Sequence, residues 1–474
     1  MTQTVDGQPR TQLGIIQFLG YAAGDAANNL AFSLTSMFLL VYYTDVAFIS
    51  PAAVGTLFLV VRIWDGFADL AAGRIVDSTM TRWGKFRPFF LFVPPVLLGL
   101  SVATFTIPGN VSSGQLLWAY LTYAALGFFY SLVNIPYGSM AAAMTQNPSE
   151  RSKLATFRMS GSAATQIMLA LVVAPQINRF KGDPHGLQNA LTILTIIFFV
   201  VGILLYLFLF FTARENVERE VDQPSLKESF AALKHNRPLV MLCLSSLLFL
   251  SGLFTSTTAQ IYYARNVLGN ANLYTIITLL SAGAIFIVGP FIPKMVRTFG
   301  KKNSYQFAGL VTAVGGLGVF LAPASQLWLV FVSFFVMGAA LAAVNSLMFS
   351  LEADTVEYGE WVTGVRTEGI VYSVFSFTRK LSQAIGGAAA SYALTAGAYS
   401  AALPSQPDSA LTWIRIATGL VPAVLIVLAL VIMHFYPLTD ARFTQIVNEI
   451  TQRRIAGVHG GTESVGTNLP ASEK

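Results

Sequence analysis

The chain has 474 residues, 54% of them hydrophobic and only 11% charged, with a net charge of +6 and a mean hydropathy of +0.61. Soluble domains carry about 25% charged residues, so this composition excludes a soluble globular protein and turns most of the surface toward lipid. The single cysteine, Cys243, excludes an intrachain disulfide and a cysteine-built zinc cluster, and the four histidines, His185, His235, His434 and His459, are scattered along the chain.

In chain order, twelve apolar runs lie near 14–43, 51–75, 87–108, 115–144, 154–177, 188–212, 238–264, 272–295, 304–324, 327–351, 367–397 and 410–436. An α-helix needs about 20 residues to cross a bilayer, and none of the runs alternates as a barrel strand would. The pattern predicts an all-α membrane protein with twelve transmembrane helices. A polar segment, 1–13, precedes the first run, which is too long for the core of a cleaved signal peptide and reads as a retained span.

Lys and Arg gather in alternate connections. Arg82, Lys85 and Arg87 follow the second run, and Arg151 and Lys153 follow the fourth. Arg214, Arg219, Lys227, Lys234 and Arg237 lie in 213–237, and Arg297, Lys301 and Lys302 follow the eighth run. The stretches TDVAFIS, GNVSSG and SAALPSQPDS hold none. This one-sided charge places both termini in the cytoplasm. It also makes the basic surplus a topology signal and not a nucleic-acid patch.

The connection 213–237 divides the chain into six-helix halves, 14–212 and 238–436, followed by a tail, 437–474. The part of the tail beyond Arg454 is small and polar and is expected to be disordered. RWGK (82–85) follows the second run, and TFGKK (298–302) follows the second run of the later half. A recurring aromatic-Gly-Lys turn in a six-plus-six layout predicts two pseudo-repeats with a site between them, the major facilitator architecture.

A charge at the centre of a membrane helix costs about 2.5–3.5 kcal/mol on insertion scales, so such residues face the bundle interior or a wet cavity. Arg62, Asp65 and Asp69 are spaced by three and four and share one helical face. A structural ion pair accounts for Arg62 and one aspartate. The second carboxylate is then in excess and either takes up a proton or binds a cation.

GYAAGDAANNLAF in the first run supplies Asp25, Asn28 and Asn29. YSLVNIPYGSM in the fourth supplies Ser131, Asn134 and Tyr137, with Pro136 expected to loosen that helix. These groups suit sugar hydroxyls. The competing reading is interhelical hydrogen bonding, worth only about 0.6 kcal/mol each. Arg158 in the fifth run and Arg379 and Lys380 in the eleventh have no acid within a turn of their own helix. They require an anionic partner, either Asp65 or Asp69 across a cavity or a substrate anion, and the planar guanidinium fork suits a carboxylate. No GxxxxGK[ST], CxxC or HExxH occurs. The chain is therefore expected to be no enzyme, to hold no cofactor and to draw on an ion gradient.

WDGFADLAAGRIVDSTMTRWGKFRPF (64–89), LVNIPYGSMAAAMTQNPSERSKLATFR (132–158), LEADTVEYGE (351–360) and FSFTRKLSQAIGG (375–387) together resemble the glycoside–pentoside–hexuronide:cation symporters, a branch of the major facilitator superfamily. The resemblance runs from about Gly14 to Ile450 and is nearest the glucuronide-carrying members. It implies a multi-pass protein of the bacterial inner membrane, monomeric, whose partners are a small sugar and the bilayer. By the pattern of the family's melibiose carriers, it implies a cation site at Asp65 and Asp69, with Ser131 where those carriers have threonine.

Two departures sharpen this. Ala68 stands where the pattern has an asparagine, which removes an oxygen ligand and favours a proton over sodium as the coupling ion. Asn29 and Asn134 replace two sugar-binding aspartates, while Arg158 and Lys380 occupy family cation positions and Arg379 adds a charge beside Lys380. With Asp25 and Tyr137, this set implies an anionic sugar, a glucuronide, imported with a proton. The alternatives are a neutral glycoside or pentoside carried by the same family with sodium or protons, and a non-transporting receptor or scaffold on the same fold. Lipid carriage would want a wide apolar cleft, against which the Asn and Arg set argues.

Overall fold

The computed structural model describes residues 13–107, 114–145, 148–215, 236–363, 368–403 and 405–463. The N-terminal segment to residue 12, most of GNVSSG, the connection between 216 and 235, and the tail beyond 463 lie outside the described residues.

Helices occupy all of the apolar runs. The first half contains α1 (Ile15–Val41), α2 (Pro51–Ser78), α3 (Arg87–Phe92), α4 (Pro94–Thr104), α5 (Gly114–Met144), α6 (Pro148–Arg179) and α7 (Pro184–Thr212). The second contains α8 (Arg237–Tyr262), α9 (Leu273–Val288), α10 (Ile292–Phe299), α11 (Lys301–Leu321), α12 (Leu327–Thr363), α13 (Glu368–Ala396), α14 (Asp408–Arg415) and α15 (Val421–His434). Among the described residues, eight helical segments are long and apolar enough to cross a membrane. The first, second and eleventh runs, which carry Asp25, Arg62, Asp65, Asp69, Arg379 and Lys380, are not among the eight, nor is the third, which is broken into α3 and α4. Ile193, Ile197, Leu204 and Phe211 of α7 are exposed, as a lipid-facing surface requires.

The helices pack as two bundles. Within the first, α1 lies against α6 and α7, and α5 against α2 and α4; within the second, α8 lies against α13 and α15, and α12 against α9 and α11. The bundles meet along α2 with α13, α6 with α9, and α1 with α8. Pairing the second helix of each half with the fifth of the other is what a two-fold pseudo-repeat produces.

Local details recur as well. α1 and α8 each end in a π-turn, Tyr42–Val46 and Tyr263–Val267. The first tyrosine of each turn anchors a neighbour within its own half. Tyr42 Oη accepts from the Ile107 amide (2.7 Å), and Tyr263 Oη donates to the Val319 carbonyl (3.2 Å). The two Gly-Lys turns also match. Gly84 (φ 105°) and Gly300 (φ 77°) are left-handed, and a Cβ at either would overlap a carboxylate, Glu215 or Asp440. Glu215 accepts from the amides of Lys85 (2.9 Å), Phe86 (2.8 Å) and Arg87 (3.1 Å), at the start of α3. Asp440 accepts from the Lys301 amide (2.9 Å) at the start of α11. An anion at a helix N-terminus satisfies amides that have no intrahelical acceptor.

Two expectations need correction. α5 runs unbroken through Pro136, packed along its length on α2 and α4. The tail is helical over Asp440–Glu463 (α16), past the Arg454 limit drawn from composition. Ile446 and Ile450 are buried and Trp361 Nε1 donates to Glu449 (2.6 Å). That packing nucleates the helix, and extension from a formed nucleus costs little.

Candidate functional site

Arg62, Asp65, Asp69 and Lys380 converge where the bundles meet. On α2, Arg62 Nη1 donates to Asp65 Oδ2 at 2.7 Å, so of the two aspartates expected as its partner the arginine takes Asp65. Arg62 is further held by Tyr123 of α5 (3.1 Å) and Gln383 of α13 (2.6 Å). Asp65 Oδ1 is buried without a hydrogen-bond partner among the described residues. It lies against Gly127, where any Cβ would overlap it.

The carboxylate in excess on α2 is matched from the other half. Lys380 Nζ lies 2.5 Å from both oxygens of Asp69, and the Ser131 hydroxyl lies 2.5 Å from Asp69 Oδ1. Asp69 therefore carries no uncompensated charge. Its partner comes from 311 residues away, which spacing within one helix cannot reveal. The Asp69 side chain is 27% exposed and Asp65 only 4%, so solvent reaches the lysine-paired acid and not the arginine-paired one. Thr35, Arg62, Asp65, Tyr123, Tyr130 and Lys380 line a cavity of ≈ 30 Å³, room for about a water and too tight for a sugar ring.

A third ion pair sits on α1. Arg158 Nε of α6 donates to Asp25 Oδ1 (2.9 Å). Asn29 Nδ2 donates to Asp25 Oδ2 (3.0 Å), and Ser33 donates to Asn29 Oδ1 (2.8 Å). The Arg158 guanidinium lies 5.2 Å from the Tyr137 ring centroid. Tyr137 itself is fully buried, stacked on Tyr21 at 4.7 Å, with its hydroxyl donating to the Tyr21 carbonyl (2.8 Å). Asn134 is half-buried. Asn28 is buried and accepts from Tyr206 (2.7 Å), an interhelical bond within the first bundle.

Arg379 is set apart from Lys380. Consecutive helical residues diverge by about 100°, and its guanidinium lies 5.1 Å from the Phe349 ring centroid on α12, within electrostatic reach of buried Glu352. The structure thus brings together Arg62, Asp65, Asp69, Ser131 and Lys380, groups Asp25, Asn29, Tyr137 and Arg158 beside them, and turns Arg379 into the second bundle.

One end of the interface is sealed. Asp45 pairs with Arg265. Tyr399 Oη donates to Asp45 Oδ2 (2.9 Å), and Thr44 lies 2.7 Å from Tyr262 Oη. These groups join the π-turn after α1 to the π-turn after α8 and the end of α13. Toward the basic loops, the described carboxylate contacts stay within one bundle: Glu215 on the α3 turn, and Lys301 Nζ with Asp354 (2.7 Å).

Comparison with known proteins agrees with this fold. The model of the family described as MFS/sugar transport protein matches residues 20–440. The glucuronide carrier protein homolog of Escherichia coli K12 is 43% identical over 94% of this chain and 97% of its own length. A putative sulfoquinovose importer of the same strain is 33% identical over 95% of this chain and 96% of its own. Among solved structures, the nucleoside transporter NupG superposes with a TM-score of 0.63 at 14% identity, covering 90% of this chain and 100% of that one.

Proposed function

This chain belongs to the sugar-transport family of major facilitator proteins and is a transporter, not an enzyme; from that premise we propose that it imports glucuronides with a proton by alternating access. The carrying observation is Lys380, an ammonium from one bundle held by Asp69 and Ser131 of the other. A proton on Asp69 removes the lysine's counter-charge and leaves the ammonium for the carboxylate of an incoming sugar. Asp25, Asn29, Asn134 and Arg158 supply donors and acceptors for the ring hydroxyls.

A proton suits the site better than sodium. Sodium needs several oxygens, but Arg62 takes Asp65 Oδ2 and Lys380 takes both oxygens of Asp69, so Asp65 Oδ1 alone is left, and Ala68 offers none. Relatives named for a glucuronide and for a sulfonated sugar support an anionic sugar as the substrate class. We further assign a monomer in the bacterial inner membrane, with the basic loops and both termini cytoplasmic.

The test is a binding screen on purified protein with aryl glucuronides, free glucuronate, sulfoquinovose and neutral glycosides, at two pH values, with and without sodium. Glucuronides are expected to bind, more tightly at the lower pH, with sodium having no effect. Tight binding of neutral glycosides alone, or affinity that requires sodium, rejects the reading.

A further inference from the structure

Resting on the symporter reading, we propose that Gln383 is a positioning residue for coupling: its side-chain amide ties α1 to Arg62 and so sets how Arg62 holds Asp65. Gln383 lies one turn beyond Lys380 on α13 and is 8% exposed. Its Oε1 accepts from Arg62 Nη2 (2.6 Å), and its Nε2 donates to Ser36 Oγ (2.5 Å). The orientation is forced, because a guanidinium only donates and the Ser36 hydroxyl is committed to the Phe32 carbonyl (2.9 Å).

Ser36 and Arg62 belong to the first bundle and Gln383 to the second. Both bonds therefore span the contact that alternating access must remake. Ser36 is two turns beyond Asn29 on the same face of α1, and Asn29 is bonded to Asp25. Displacement of α1 by a ligand on that face is passed through Ser36 and Gln383 to Arg62. The other charged or titratable groups facing Arg62 and Asp65 are Tyr123 and Tyr130 of α5, Lys380 of α13 and Asp69 of α2. Arginine keeps its charge at every working pH. A change in its grip on Asp65 thus alters the field on Asp65 and Asp69 while the charge of Arg62 stays fixed. If Gln383 were only interhelical glue, its loss would lower stability and every transport mode together.

The experiment uses the full chain in proteoliposomes with para-nitrophenyl glucuronide as probe, comparing wild type, Gln383→Leu, Gln383→Glu, Ser36→Ala and the Ser36→Ala/Gln383→Leu pair. Exchange of the glucuronide is expected to stay within about threefold in the leucine and alanine variants, while accumulation driven by a pH gradient falls about tenfold. The double variant is expected to be no worse than either single one, since both cut one linkage. Gln383→Glu keeps the acceptor for Arg62 but has no donor for Ser36 and adds a carboxylate beside Asp65, so it is expected to accumulate no better than Ser36→Ala. A parallel fall of exchange and accumulation, or unchanged accumulation, overturns the proposal; where Gln383→Leu does not fold, Ser36→Ala decides.

A sugar-free measurement separates this from the substrate assignment. The acid limb of the thermal midpoint against pH is expected to move to higher pH in Gln383→Leu, and a profile superimposable on wild type overturns the role of Gln383. Wild-type protein that exchanges no glucuronide rejects the substrate reading instead, leaving that profile to judge Gln383.

Discussion

At the scale of residues, the two aspartates of α2 differ in their partners. Asp65 is shut in with a guanidinium that cannot release its proton, whereas Asp69 faces solvent and an ammonium. Under the proposed cycle Asp69 is the acid that loads and unloads. Asp69→Asn keeps an acceptor for Lys380 and Ser131 but cannot change charge. It is expected to abolish uphill accumulation, a loss of up to about tenfold at one pH unit of gradient, while downhill glucuronide exchange persists. Uptake with and without the gradient in one proteoliposome preparation checks this; accumulation that survives assigns coupling elsewhere. Lys380→Gln is expected to lose the preference for anionic over neutral glycosides, read as the ratio of their Kd values.

At the scale of elements, the seal made by Asp45, Arg265 and Tyr399 joins the C-terminal ends of α1, α8 and α13 and stabilises the state in which that end is closed. Removing one member of a buried ion pair costs about 3–5 kcal/mol, because the other charge is left in place. Arg265→Ala is expected to shift the population toward the state open at that end. Spin labels at exposed Ser50 and Asn272 would read this as a longer distance; an unchanged distribution means the seal does not set the equilibrium. Much of the helical frame was legible beforehand, since apolar runs of membrane length have few other outcomes. That Arg62 pairs with one of the two aspartates was legible for the same kind of reason, charges three and four residues apart, but not that the partner is Asp65. Asp45 with Arg265, and Gln383 with Ser36, were not. Their partners lie 220 and 347 residues apart, and a single Gln or Ser in an apolar helix carries no pairing signal. α16 was missed because its composition resembles a linker, while its order comes from Ile446 and Ile450 packing on the second bundle.

At the scale of the molecule, the decisive quantity is the charge carried through the interface. Arg62, Arg158 and Lys380 face Asp65, Asp25 and Asp69, so the described state is balanced, pair by pair. Moving net charge between a polar cavity and a low-dielectric barrier is costly, which favours cycles that keep this balance. A glucuronide brings one negative charge, and one proton restores neutrality; a neutral sugar with a proton would leave a positive charge to be moved. The loaded carrier is thus expected to cross electroneutrally. The membrane potential is worth about 2.3 kcal/mol per charge per 100 mV and would contribute nothing to such a cycle. A gradient of one pH unit, worth ~1.4 kcal/mol per proton, limits accumulation to about tenfold. In proteoliposomes, a potassium-diffusion potential at matched pH is expected to drive no accumulation, and the pH gradient alone to drive all of it. Accumulation by the potential alone would mean that more than one proton accompanies each anion, or that the sugar is neutral. The binding screen separates those two cases, because only a neutral substrate leaves Lys380 on Asp69.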